Sequence, residues 1–293
     1  MPKQNWLFLS VFYPQREWWR LLHSGIAPFL RTNNLEAIVH FGRQRGDHLG
    51  LSCPPPSAAA GDLLREFERE LTGYIQSHPA AIPADLDGTR TNAPAIPADA
   101  GDQLFMNFPP NTIYPGLHQF LPSAPEFFRS APGSLRSSRG DPRIRRQYQA
   151  AWCRSTGPLC RVFGEAPFDR EDLFSAALYL NLLLLLSDER ISRNYCRNYP
   201  GRATPSPPMV QKFAGNRSLL YAILDDCRAI MDGRVSEELL PVAEWFDVFR
   251  DVRFEDTLVE DILLSTRKQL GLDEEARLLI DHFIYQLLLE TIN

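Results

Sequence analysis

AIVHFGRQRGDHLGLSC, residues 37–53, sets two short β-prone runs, AIVHF and HLGLS, on either side of GRQRGD. Val, Ile and Phe suit a pleated, half-buried surface, and a connection bracketed by Gly42 and Gly46 suits a tight reversal, so the stretch reads as a β-hairpin. A third β-rich run, WLFLSVFY (6–13), lies upstream and stops at Pro14. After it comes QREWWRLLHSGIAPFLR, where Trp18, Leu21, Leu22, Ile26, Phe29 and Leu30 recur at helical spacing. GDLLREFERELTGYIQS (61–77) is a second amphipathic helix, with Leu and Phe on one face.

Downstream the pattern changes twice. Residues 78–102 lose periodicity and carry AIPAD at 81–85 and again at 95–99, which reads as a mobile loop or linker. LFMNFPPNTIYPGLHQF (104–120) resumes with a strand and a proline-punctuated turn. Between 129 and 146 stand Arg129, Arg136, Arg139, Arg143, Arg145 and Arg146 against a single acid, Asp141; this reads either as a solvated loop entering a helix or as a cationic binding segment. From Tyr148 onward the chain is mostly helical, with segments at 168–186, 218–231, 237–252, 256–270 and 273–293, and RNYPGRATPSPP (197–208) reads as an exposed loop. The expectation is therefore an α+β chain. Its first 120 residues are strand-rich with a partly antiparallel sheet, and the remainder is mostly helical.

Composition narrows the function classes. With 293 residues and 44% hydrophobic content, the chain can bury a sizeable core as one large domain or two closely packed smaller ones. A net charge of −5 argues against an electrostatically driven nucleic-acid binder, which needs a clear basic excess. Five cysteines (Cys53, Cys153, Cys160, Cys196, Cys227) lack metal-type pairing and read as reduced thiols in a cytoplasmic protein. The apolar stretch before Tyr13 is too short for an export signal. The longest apolar run, 173–186, is interrupted by Asn181 and falls short of the roughly 20 residues of a membrane span, so it reads as a buried helix. His23, His78 and His118 have no partners at ligand spacing, no Cys/His cluster suits a metal, and no glycine-rich phosphate loop precedes a helix. No cofactor is indicated.

Taken in order, WLFLSVFY, the tryptophan-rich helix, AIVHF-x5-DHLGLS, FPPNTIYPG and LLIDHFIYQLL resemble the thiopeptide-type bacteriocin biosynthesis domain, which is also the C-terminal elimination domain of lantibiotic dehydratases. The likeness spans essentially the whole chain and implies one domain over 1–293. Elimination members remove glutamate from a glutamylated Ser or Thr, which calls for a base and for arginines that hold the departing carboxylate. The matching positions here lack that equipment. His40 stands where the family strand has arginine, Gly50 and Ser52 replace an arginine pair, and Pro110 and Ile113 occupy a Glu and an Arg place before Tyr114. Each lost charged hydrogen bond forfeits about 1.5–3 kcal/mol of leaving-group stabilisation. Glutamate is therefore not the expected leaving group.

Stand-alone members of similar length act as pyridine synthases, and the resemblance implies that activity. Two dehydroalanines of one modified peptide join in a formal [4+2] aza-cycloaddition, after which water and the leader peptide are lost. Such a reaction asks chiefly for orientation and for a group that moves or donates a proton. The resemblance points to His282, with Tyr285 one helical turn on, and to Tyr114 as catalytic candidates, against the alternative that each is a packed core residue. Asp281 reads either as a carboxylate orienting the imidazole or as a solvated one near a helix start. His48 and Ser52, on one strand face with Gly50 between them, are substrate-binding candidates, and His40 reads either as structural or as a weak polar contact. Family leaders are commonly acidic, which gives Arg136, Arg139, Arg143 and Arg145 a leader-binding rationale. The implied partners are a modified precursor peptide with its leader and other pathway enzymes, without nucleic acid or membrane. Two rival readings stay open: a divergent glutamate-elimination lyase, and a non-catalytic module that presents the peptide.

Overall fold

The hairpin read from residues 37–53 is present in the computed structural model, which describes residues 7–43, 46–53, 60–81, 108–115, 142–164, 167–199, 206–250 and 256–292. Among these residues one sheet forms, from β1 (Leu7–Phe12), β2 (Ile38–Gly42), β3 (His48–Cys53) and β4 (Thr112–Pro115), in the order β2-β3-β1-β4. Every pairing is antiparallel.

The register sorts the side chains because directly opposed residues project to the same face. One face aligns Val39, Leu51 and Leu9 with Pro115, and Phe41, Leu49 and Val11 with Ile113. Its apolar residues on β1, β2 and β3 are buried, and Phe41 packs against Trp18, Phe163 and Phe168. The other face aligns His40, Gly50, Ser10 and Tyr114 in one row, with Gly42, His48, Phe12 and Thr112 in the next. A sheet with one apolar and one polar-aromatic face, buried along β3 and from Leu9 to Phe12 on β1, belongs to an α+β chain.

The helices beside the sheet follow from the tryptophan-rich pattern. A 3₁₀ turn at Gln15–Glu17 leads through α1 (Trp18–Arg20), a π-helical stretch at Leu21–Ile26 and α2 (Ala27–Thr32), burying Trp18, Leu21, Leu22, Ile26, Phe29 and Leu30. α3 (Ala60–Ser77) follows the hairpin and stacks Phe67 on Phe29. Its end is tied to β4 by Asn111, whose carboxamide accepts from the Ala80 N–H at 2.9 Å and donates to the Ala80 carbonyl at 3.0 Å. Asn111 adopts φ +62° in the PPNT turn, a region that Asn tolerates better than most residues. This turn fixes where β4, and so Tyr114, begins.

The chain divides into two compact units. Met1–Ala131 with Phe163–Asp169 forms the sheet unit, and Pro132–Val162 with Arg170–Asn293 forms a helical unit. The second contains α4 (Pro142–Val162), α5 (Arg170–Leu186), α6 (Glu189–Asn198), α7 (Pro207–Gly215), α8 (Arg217–Met231), a 3₁₀ turn at Glu237–Leu239, α9 (Leu240–Arg250), α10 (Asp256–Gln269) and α11 (Glu274–Ile292). α5 is the apolar run 173–186. Being apolar on all sides, it must be covered on all sides, and α6, α8, α9, α10 and α11 all pack on it. No helix among the described residues is long and apolar enough to cross a membrane.

One departure from the sequence reading bears on the site. The stretch 197–208, expected as an exposed loop, begins as the end of α6 with Tyr199 buried and closes as the start of α7. Pro207 and Pro208 belong to the first turn of α7, where a missing N–H costs nothing. The expected loop 78–102 lies outside the described residues beyond Ala81.

Candidate active site

The expected site residues fall into two groups, one in each unit. In the sheet unit, Tyr114, His48 and Ser52 lie on the polar face together with Ser10 and His40. None of the four besides Tyr114 has exposed surface. The His48 imidazole places Nδ1 2.9 Å from the Gly46 carbonyl oxygen, so Nδ1 carries the hydrogen and donates it. The ring covers Gly42 closely enough that a Cβ there would fall 2.2 Å from it, which explains the glycine. His40 Nε2 lies 3.5 Å from Ser52 Oγ. Burial, with His48 beside it, pushes the His40 pKa down to about 3, and burial also lowers that of His48 despite the Gly46 bond. Both rings are therefore neutral at physiological pH. Tyr114 packs edge-on against Phe12 and Phe108 at 5.6 and 4.6 Å between ring centroids. The face that carries Gly50 and Ser52 is thus filled by neutral imidazole, hydroxyl and phenyl groups.

In the helical unit, α6 and α11 pack against each other and meet through a polar ladder. Tyr195 and Tyr199 stand one turn apart on α6 and its C-cap, and Asp281, His282 and Tyr285 share the facing side of α11. The Tyr195 hydroxyl donates to Asp281 Oδ1, which also accepts from Arg267 Nη1 on α10 at 2.8 Å. One turn on, the Tyr199 hydroxyl lies 3.4 Å from His282 Nδ1, and its ring stacks on Tyr285 with centroids 4.2 Å apart and planes 22° from parallel. Phe213 of α7 closes edge-on over His282 at 5.9 Å. His282 and Tyr285 are thereby joined through Tyr199, a residue the sequence reading placed in a loop.

Electrostatics inside this cluster follow from burial. The His282 pKa is lowered by desolvation, and those of Tyr195 and Tyr199 are raised by it, with Asp281 adding to the rise. The imidazole is neutral and both phenols keep their protons. Burial alone would lower the Arg267 pKa, but Asp281 and Tyr195 push it above its ordinary value, so the guanidinium stays charged. Asp281 is neither a solvated helix-start carboxylate nor the orienter of His282. It sits within α11 and is engaged by Arg267 and Tyr195. Tyr195, Tyr199, Phe213 and Arg267 are the members of the cluster that the sequence reading missed.

Arg136 and Arg139 lie outside the described residues. Arg143 and Arg145 fall in the first turn of α4, with their side chains outside the described set. Among the described residues no three His, Cys, Asp or Glu side chains gather to hold a metal.

No protein-family model matches the chain, and no curated protein matches its sequence. A solved structure does match in fold, that of the pyridine synthase TbtD from thiomuracin biosynthesis. The TM-score is 0.59 over 96% of this chain and 96% of that one, at 17% sequence identity. The chain shares its fold with that enzyme nearly end to end.

Proposed function

We propose that this protein is a pyridine synthase of a ribosomally made, post-translationally modified peptide pathway. On this reading it joins two dehydroalanines of a precursor peptide by formal [4+2] aza-cycloaddition and then expels water and the leader peptide. The observation that carries the proposal is the near end-to-end fold match to a pyridine synthase, at a TM-score of 0.59.

The chemistry of the candidate groups supports the same reading. An enzyme that releases glutamate must hold a carboxylate, and His40, His48 and His282 are all kept neutral by burial. A neutral, unsaturated peptide makes no such demand. Its main barrier is the bringing together of two distant residues, and well-oriented reactants gain roughly 7–11 kcal/mol from that alone. His282, Tyr285 and Tyr114 serve as the hydrogen-bonding and proton-moving groups. Arg136, Arg139, Arg143 and Arg145 serve to hold an acidic leader, so leader binding weakens with salt. The expected compartment is the cytoplasm, and no cofactor is required by the steps proposed.

The test is incubation of the protein with a leader-bearing bis-dehydroalanine peptide, followed by mass spectrometry. Appearance of a pyridine-containing product with loss of water and release of the leader supports the synthase. Release of glutamate from a glutamylated peptide, without pyridine formation, would establish the lyase, and saturable peptide binding without any turnover would establish a presenting module.

A further inference from the structure

We propose that His282 meets its substrate as a hydrogen-bond donor through Nε2–H, and that Tyr199 is the positioning residue that fixes this tautomer by donating its hydroxyl proton to Nδ1. The inference rests on the synthase reading for the identity of the substrate, but not for the tautomer.

The assignment comes from where protons have to go in a buried contact. Tyr199 is 2% exposed, and its hydroxyl has one hydrogen-bonding neighbour among the described residues, His282 Nδ1 at 3.4 Å. A neutral imidazole offers one donor and one acceptor nitrogen. If Nδ1 carried the hydrogen and donated to Tyr199, the phenolic proton would be buried with no acceptor among the described residues, which is costly. If the phenol donates to Nδ1, the phenolic proton and the Nδ1 lone pair satisfy each other, and the imidazole hydrogen sits on Nε2, the nitrogen left to meet substrate. The phenol is held in place for this role by its stack on Tyr285 and by the helical continuation of α6, in which its N–H bonds to the Tyr195 carbonyl. Burial keeps both rings in the forms this bond needs, with the imidazole neutral and the phenol protonated.

The tautomer separates the rival chemistries. A base that removes an α-proton needs a lone pair on the nitrogen facing substrate, and here the Nδ1 lone pair is occupied while Nε2 bears hydrogen. A neutral imidazole N–H instead acts as an electrophile toward an amide oxygen, stabilising charge as the oxygen gains it. In the proposed reaction that oxygen is the one whose amide must become an iminol and which later departs as water.

The experiment is long-range ¹⁵N–¹H correlation on uniformly ¹⁵N-labelled protein without substrate, with the His282 signals assigned by their loss in H282Q. Hydrogen on Nε2 in the wild type is expected. In Y199F, which keeps the stacked ring and removes only the hydroxyl, the Nε2–H to Nδ1–H ratio should fall about five- to tenfold, as loss of one ordinary hydrogen bond implies. A wild-type spectrum dominated by Nδ1–H overturns the proposal, and an unchanged ratio in folded Y199F overturns the part assigned to Tyr199. Turnover provides the second arm. The H282Q amide can reach the Nε2 position and should restore part of the rate lost in H282A, whereas the shorter H282N should not; equal rates for H282Q and H282N overturn the donor role. Because the spectra need no substrate, failure of the tautomer assignment and failure of the synthase reading are told apart.

Discussion

Replacing Asp281 with Asn should destabilise the helical unit far more than replacing its partner Arg267 with Met. The Arg267 side chain is 5% exposed and that of Asp281 is 19% exposed. Within the described residues, Nη1 of the guanidinium bonds Asp281, while Nε and Nη2 have no hydrogen-bond partner. Asp281→Asn therefore strands a buried cation, for which removal of a partner costs about 3–5 kcal/mol. At 2–4 °C per kcal/mol for a unit of this size, Tm should fall by roughly 6–20 °C. Arg267→Met removes the harder-to-solvate member. Asp281 then keeps the Tyr195 hydroxyl and its partial exposure, and the expected cost is about 1–3 kcal/mol. The double variant Asp281→Leu/Arg267→Met leaves no charge to strand and should recover most of the loss. Urea unfolding followed by tryptophan fluorescence and by far-UV circular dichroism measures all three. An Arg267→Met cost equal to or above that of Asp281→Asn would refute the account.

Three further outcomes follow from the geometry. Because the His40 pKa is depressed to about 3 in the folded chain from the ordinary 6.5, the unfolded chain binds the proton first; stability should be full above pH 6.5 and fall by roughly 1 kcal/mol per unit as pH drops toward 3. Chemical denaturation across that range should show the slope, and it should lessen in His40→Gln. Gly42→Ala would place a Cβ 2.2 Å from the His48 ring and should cost about 1–3 kcal/mol, part of which His48→Ala recovers in the double variant; a wild-type denaturation midpoint for Gly42→Ala alone would contradict the close packing. His282→Ala should retain its near-UV spectrum yet lower the rate of pyridine formation by about 10²-fold or more, and full turnover would remove it from the mechanism.

Much of this architecture is readable in the sequence because burial and periodicity agree there. The hairpin residues alternate between an apolar and a polar-aromatic face, and the run 173–186 has no polar stripe, so it could only be central. The losses have equally physical causes. α6 hides behind its arginines, although Asp188 caps it by accepting from the Arg190 N–H and Ile191, Tyr195 and Tyr199 form a buried stripe at four-residue spacing; that stripe was the available signal. α7 was obscured by its prolines, which disfavour a helix interior and are harmless in its first turn. Arg267 could not have been found by pattern. It sits in STRKQ (265–269), which reads as a solvated helix end because charged residues are rarely buried unless paired, and its partner Asp281 lies on another helix. His282 and Tyr285 were legible as neighbours on a face, but the residue that connects them was not.

The buried guanidinium is also the place where the lyase reading has to be met. A departing glutamate needs a cation, and within the described residues Arg267, with Nε and Nη2 unpartnered, is the buried one beside the His282 cluster. Yet Arg267 already neutralises Asp281. A glutamate carboxylate arriving at its open edge would give two anions to one cation in a desolvated setting, where an unpaired charge is most costly. A neutral carbonyl or a water could take the same two donors without that penalty. Free glutamate titrated to about ten millimolar, a concentration at which even a weak millimolar site would be mostly filled, should therefore leave the Arg267 Nε–H resonance unmoved. A saturable shift of that resonance, abolished in Arg267→Met, would show that the cluster accepts an anion after all, and the reading of a neutral substrate would give way to elimination chemistry.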